Sequence, residues 1–497
     1  MLDRGSLIIV ALFLLLLPFW TPRIYATDEV QYFAYLHSLY FDGDLDFRNE
    51  YQHFADIGLK NGDPAVFNAL LRDNPQDPPF NPQTGVYRNV APIGSALLWS
   101  PGFVLADGLV RAANSLGARI AADGYSWPYI WAICFMSALY SLLGLLLTYR
   151  LARRYSGVFA ATLATVSVWL ATPLVFYTYI LMPWSHGPGF FLFALFLTLW
   201  LGDEEAPLLE RGAQRSLGMW ALLGLVGGLM TITREQLGLL LILPAAEGLV
   251  AYYMIVAKNR PPTKDKRIED RESRIEDRDP QASGARSPFT ALLAGHAIFL
   301  LAFALTLIPQ FLTYQALNGR PRPSSTVEGK LYFLSPHLLD TLIDPQHGAF
   351  LWSPILMLGL VGMIWLWRRD RLLAALLLLG FLAQTYINGA ISTWHLTGSF
   401  GFRRLIECTP IFVLGLAALL EWLRPRLGRW PLLGAALLLI AWNAGLIANW
   451  TVLHIELRKG LVWPDLWGWQ LEAPRRVLAT AGDLLFHRCG FFKNGRC

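Results

Sequence analysis

Apolar residues fall along this chain in long runs, separated by short polar turns. Runs near 127–149, 157–178, 186–201, 216–233, 236–257, 289–313, 349–367, 371–389, 404–423 and 431–450 have the length and continuity of membrane spans. An earlier run, Leu7 to Tyr25, follows Arg4. A cleavable leader needs small residues at both positions before the cut, and Ile24-Tyr25-Ala26 offers one. The run therefore reads as an uncleaved first helix, 1–26, with its N-terminus in the cytoplasm. The pattern predicts an all-α polytopic membrane protein of about eleven spans.

Polar segments divide the remainder. Residues 27–126 form a long excursion rich in Asp, Asn, Pro and Gly. Within it a stretch from Ala91 to about Val110, interrupted by Pro101, predicts a helix lying at the interface. Spans at 127–257 are followed by a charged linker, 258–288, with the near-repeat Arg267-Ile268-Glu269-Asp270-Arg271 and Arg274-Ile275-Glu276-Asp277-Arg278. Its composition reads as flexible. Spans at 289–450 enclose outer loops 314–348 and 390–404, and a tail runs from 451 to 497.

Composition agrees. The 497 residues are 54% hydrophobic and 15% charged, with a mean hydropathy of +0.40, where a soluble chain carries about 25% charge. The net charge of +5 reads as cytoplasmic loops rather than nucleic-acid binding. Basic clusters at Arg150–Arg154, Arg211 with Arg215, Lys258–Arg286, Arg368–Arg371 and Arg424–Arg429 fall at alternate connections. The positive-inside rule makes all of them cytoplasmic. Four cysteines are too few for a thiolate cluster. Cys134 and Cys408 read as inert, whereas Cys489 and Cys497 lie where a small disulfide is permitted.

The same alternation places Asp28-Glu29, Ser185-His186, Arg234 and the loop Trp394–Arg404 outside. Arg234, Arg403 and Arg404 break the charge rule on that face and ask for a reason. Each residue also has an ordinary reading. Asp28-Glu29 fits a helix end at the water interface. Arg234 fits a salt bridge to Glu235 or Glu29. Arg403 and Arg404 fit snorkelling to headgroups. His186 fits a satisfied interfacial histidine. Asp42, Asp44 and Asp46 resemble a spaced-acid metal motif, but Asp42-Gly43-Asp44 is also an ordinary turn. The turn is favoured. No metal ligand is assigned and no cofactor is implied, although the acids permit a divalent metal. Ser185 has no acid partner for a hydrolase triad.

Taken together, the acidic first outer loop, Ser185-His186, Arg234 before Gln236, and Trp394 followed by Gly401-Phe402-Arg403-Arg404 resemble the GT-C superfamily. These are polytopic glycosyltransferases that use sugars carried on polyprenyl or dolichyl phosphate. The resemblance covers most of the chain in topology and rests on short motifs in sequence. No subfamily, such as the protein mannosyltransferases or aminoarabinose transferases, is matched. It implies an inverting enzyme of the bacterial cytoplasmic membrane, working on its outer face among membrane lipids. A sugar would move from a polyprenyl-phosphate donor to a hydroxyl of a glycan, lipid or protein. Asp28 would be the base, with Glu29 orienting or binding. Arg403, Arg404, Arg234 and His186 would meet the phosphate. Asp42, Asp44, Lys330, Trp394 and His395 would contact substrate, with His337 and His347 as further candidates. A transporter or flippase for a lipid-linked glycan, and a glycan polymerase or ligase of another membrane fold, remain alternatives.

Overall fold

The computed structural model describes residues 3–60, 70–72, 79–202, 208–258, 287–451 and 457–486. The repeat-bearing linker, apart from Lys258 and its last two residues, and the Cys489–Cys497 pair lie outside them. Among the described residues 77% are helical. Its one described sheet is a hairpin, β1 (Phe80–Asn81) against β2 (Val86–Tyr87).

The first apolar run is shorter than expected as a helix. Helix α1 spans Arg4–Leu15, capped by Asp3, whose carboxylate accepts from the Ser6 N–H at 2.9 Å. Pro18 lies in the 3₁₀ turn that follows; it has no N–H to continue the ladder. The acidic pair then opens a second helix rather than trailing the first: α2 is Thr27–His37, with Asp28 and Glu29 in its first turn. Helix α3 (Arg48–Lys60) follows, then α4 (Gly94–Ser115). Pro101 does not break α4. It removes the donor to the Leu97 carbonyl, and the Ser100 hydroxyl takes that acceptor at 2.8 Å.

The apolar frame comprises α5 (Trp127–Tyr155), α6 (Val158–Leu170), α7 (Pro173–Tyr179), α8 (His186–Leu201), α9 (Leu217–Thr233), α10 (Ile242–Lys258) and α11 (Pro288–Asn318). It continues through α12 (Pro354–Arg369), α13 (Arg371–Ala390), α14 (Thr409–Leu427) and α15 (Arg429–Thr451). Every predicted run falls on helix, but 349–367 is divided at Ser353 into Ala349–Trp352 and α12, and 157–178 is two helices. α6 and α7 bend by 70°, where the Thr172 hydroxyl caps Leu174 and Pro173 occupies the first helical turn. Among the described residues six helices are long and apolar enough to cross a membrane, seven with the bent pair. Arg4–Phe19, α8 and α9 are shorter apolar helices. The tail, expected on the extracytoplasmic side, contains α16 (Trp463–Ala479), whose Gln470 donates to the Trp442 carbonyl on α15.

Burial ranks the helices. In the segment Arg403–Leu427, 89% of the apolar window is buried, against 17% for α11. α14 is therefore the axis of the bundle, and α11, with Leu300, Leu301, Leu305 and Leu312 exposed, shows an apolar surface suited to lipid.

Charged groups gather at both ends of the bundle. At one, Arg153 of α5 meets Asp3, and Arg154 donates to the Gly202 carbonyl after α8. There, too, Glu421 of α14 accepts from the Gly157 N–H before α6. The start of α2, the start of α8, the end of α9 and the turn leading into α14 meet at the opposite end.

Candidate functional site

That opposite end gathers the residues singled out in sequence. Glu29 closes the start of α2. Its Oε2 accepts from the N–H groups of Tyr25 and Ala26, the latter at 2.7 Å, the reciprocal half of a capping box. Its Oε1 accepts from the Trp184 indole at 2.7 Å. Glu29 has no exposed surface. Burial, opposed by those hydrogen bonds and by the nearby Arg23, pushes its pKa up to about 7. The neighbouring carboxylates thus have separate surroundings. Glu29 is inward and fully used, while the Asp28 side chain remains 44% exposed.

Asp28 faces Arg403. The guanidinium lies 3.2 Å from its Oδ2 and stacks over the Trp184 ring at 4.0 Å, a cation–π contact that fixes its plane. Trp184 therefore joins the two members of the acidic pair: its N–H holds Glu29, and its face carries the arginine that meets Asp28.

Behind this pair lies a second set. His186 Nδ1 is 2.8 Å from Glu407 Oε1, and the Arg234 guanidinium is 3.0 Å from the same oxygen. Arg234 also donates to the Ser185 hydroxyl at 3.0 Å, which is 2.9 Å from the Tyr32 hydroxyl on α2. Arg234 thus pairs with Glu407, not with Glu235 or Glu29 as the ordinary reading had it. Glu407 was missed in sequence. Its signal is an ionisable residue inside an apolar segment, which asks for a partner.

Arg404 donates to the Thr393 hydroxyl at 2.8 Å and lies within electrostatic range of Arg403, Arg234 and Asp28. Its Nη1 is buried without a partner, as is Nε2 of His186. Three guanidinium groups against the carboxylates of Asp28 and Glu407 leave one positive charge in excess. The unused Arg404 donor beside that charge is chemically suited to an anion with several oxygens, whereas Nε2 of His186 is an acceptor, because Nδ1–H faces Glu407.

The other sequence candidates are more dispersed. Lys330 is exposed, and its carbonyl accepts from the Ser392 N–H at 2.8 Å, placing its loop beside Thr393. Trp394 stacks on His337 at 4.7 Å, and His395 contacts the Thr397 hydroxyl at 2.7 Å. His347 is buried, which lowers its pKa to about 4. Asp44 is used locally, its Oδ1 accepting from the Ser38 hydroxyl at 2.8 Å and from the Asp46 N–H at 3.1 Å. This is the favoured turn, closed by Gly43 at φ 73°. Asp42 instead joins His37 and Glu50, a group spaced to hold a metal ion. The acids suspected of metal binding were Asp42, Asp44 and Asp46; only Asp42 belongs to that group. Compared with known proteins, the chain matches no family model and no curated sequence.

Proposed function

We propose that this chain is an inverting glycosyltransferase of the GT-C type, transferring a sugar from a polyprenyl-phosphate donor to an acceptor hydroxyl at the outer face of a bacterial cytoplasmic membrane. The observation that carries this reading is the Asp28–Arg403 pair at 3.2 Å: a part-exposed carboxylate and a cation, held together where the three arginines converge. The acceptor oxygen attacks the anomeric carbon as the bond to the phosphate oxygen breaks. The hydroxyl proton passes to Asp28, a general-base contribution of about 10²–10⁴ in rate. The phosphate keeps the bonding electron pair, and Arg403, Arg404 and Arg234 meet its new charge. Donor phosphate competes with Asp28 for Arg403, so donor binding frees the base it requires.

Glu29 serves here as a positioning residue that fixes the turn bearing Asp28. Glu407 and His186 orient Arg234. Loop residues Lys330, Trp394 and His395 flank Arg404 through Thr393 and are suited to substrate contact. About eleven spans in this reading include the short helices α1, α8, α9 and α12, accommodated by local thinning of the bilayer.

The test is transfer in detergent with a panel of polyprenyl-phosphate sugars. Asp28→Asn should keep expression and thermal stability and lose at least about 10²-fold in transfer; full activity in that variant defeats the reading. A flippase reading has Glu407 in its favour, an acid within an apolar segment. It predicts substrate movement across sealed vesicles and no product in detergent.

A further inference from the structure

The far end of α2 carries a second polar cluster. His37 lies nine residues beyond Asp28, about 14 Å along the helix. Its ring is buried and stacked on Tyr125 at 4.0 Å between centroids. Nε2 sits 3.0 Å from the Asp123 carbonyl, an acceptor, so Nε2 carries the proton. In the neutral ring this turns the Nδ1 lone pair towards two carboxylates, with Glu50 Oε1 at 2.8 Å and Asp42 Oδ2 at 3.4 Å.

Asp42 also approaches Glu50 within hydrogen-bonding reach. Glu50 has no exposed side-chain surface, and its Oε2 is buried with no donor in contact. The only nitrogen donor to Asp42 Oδ2 besides this group is the Asn49 amide at 2.9 Å, among the described residues. Three lone-pair donors converge, with the Tyr125 hydroxyl 3.3 Å from Nδ1 of His37, and the second oxygen of the buried Glu50 has no hydrogen-bond partner. Such a group needs a positive centre among its members.

We propose that His37, Asp42 and Glu50 bind one divalent cation of the zinc–manganese class. The ligand set is one imidazole and two carboxylates without thiolate, which favours zinc or manganese over copper(I) and over calcium. The imidazole-to-carbonyl bond at Nε2 is the outer-sphere contact that fixes a metal-binding tautomer. The three ligand atoms lie within 4.8 Å of one another. Bonds of about 2.0–2.2 Å require them to close to about 4 Å or less. Asp42, 31% exposed on the turn before Gly43, supplies that movement. The ion joins the end of α2 to the following turn and to α3, pinning the helix whose other end carries Asp28. This site does not rest on the glycosyl-transfer reading.

The experiment uses the full-length protein in detergent, stripped with a chelator and then equilibrated with Zn²⁺, Mn²⁺ or Ca²⁺. Metal is counted by mass spectrometry, and unfolding is followed by heating. The expected result is one Zn²⁺ or Mn²⁺ per chain and a raised midpoint on reloading, with no response to Ca²⁺ at equal concentration. Asp42→Asn should weaken binding by about tenfold or more, and Glu50→Gln should abolish it. Failure of the wild type to retain an ion overturns the proposal, since a protonated His37 then supplies the positive centre. Equal retention in folded Asp42→Asn and Glu50→Gln also overturns it.

Discussion

The guanidinium of Arg403 lies 3.2 Å from the carboxylate of Asp28, a residue 375 positions earlier in the chain. The pair spans two elements with separate supports. Asp28 is held by the cap that Glu29 places on α2, and Arg403 by the Trp184 ring beneath it. Trp184 also donates to Glu29, so neither support moves without the other.

Replacing Arg403 with Ala removes both the partner of Asp28 and the cation nearest to it. Transfer should fall by about 10²–10³-fold, the loss typical of one charge-stabilising group. Arg403→Lys keeps the charge but not the planar stacking and forked donors, and should recover only part of the loss. Steady-state kinetics with varied donor check this. A lysine variant matching wild type would show that charge alone is sufficient.

Glu29 gives the fold a pH dependence with a definite sign. Its pKa is raised to about 7 in the folded protein from about 4.3 in an unfolded chain. The folded state therefore holds that proton more tightly. Its contribution is complete below the unfolded value and is lost as pH rises through about 7, a change of a few kcal/mol at most. Melting curves from pH 4.5 to 8 should show wild type losing stability across this window. Glu29→Gln should lack that component, while melting lower at acid pH through the weakened cap, worth about 1 kcal/mol.

Glu407 holds Arg234 and His186 from within the bundle. Glu407→Gln leaves the arginine without its countercharge in a buried setting, a loss of about 3–5 kcal/mol. Removing both charges, as Glu407→Gln with Arg234→Gln, should restore part of that stability. The double variant should still transfer poorly, because a phosphate ligand is gone. Thermal unfolding of the two singles and the double measures the coupling. Additive losses would show that the pair does not interact.

The helices were legible because each apolar run is long and its period needs no tertiary information. The breaks were legible only in part. Thr172-Pro173 is a helix-start signal, yet it lies within continuous apolar sequence and reads as one span. Asp28-Glu29 looked like the end of a helix because carboxylates suit any water interface; the Ala26 N–H to Glu29 contact makes it a beginning. Alternating charge was enough to put Asp28, His186, Arg234 and Arg403 on one side. It carried no information on partners. That Arg234 takes Glu407 depends on how α8, α9 and the turn before α14 pack, and Glu407 itself is masked by Leu405, Ile406 and Cys408.

Gly401 tests whether the backbone before Arg403 is part of the site. Its φ is +60°, a left-handed conformation, and its carbonyl accepts from the Arg403 N–H at 3.0 Å. An added Cβ would sit 2.5 Å from Pro173 Cγ, at the bend between α6 and α7. Gly398 has φ +93° and open space around it. Both alanine variants incur the backbone strain, about 1–3 kcal/mol, but only Gly401→Ala adds the collision with Pro173. Gly401→Ala should therefore melt lower than Gly398→Ala. It should also shift Arg403 and raise KM for the lipid-phosphate donor several-fold, whereas Gly398→Ala leaves KM near wild type. Equal effects of the two substitutions on melting and KM would detach the turn at Gly401 from the placement of Arg403.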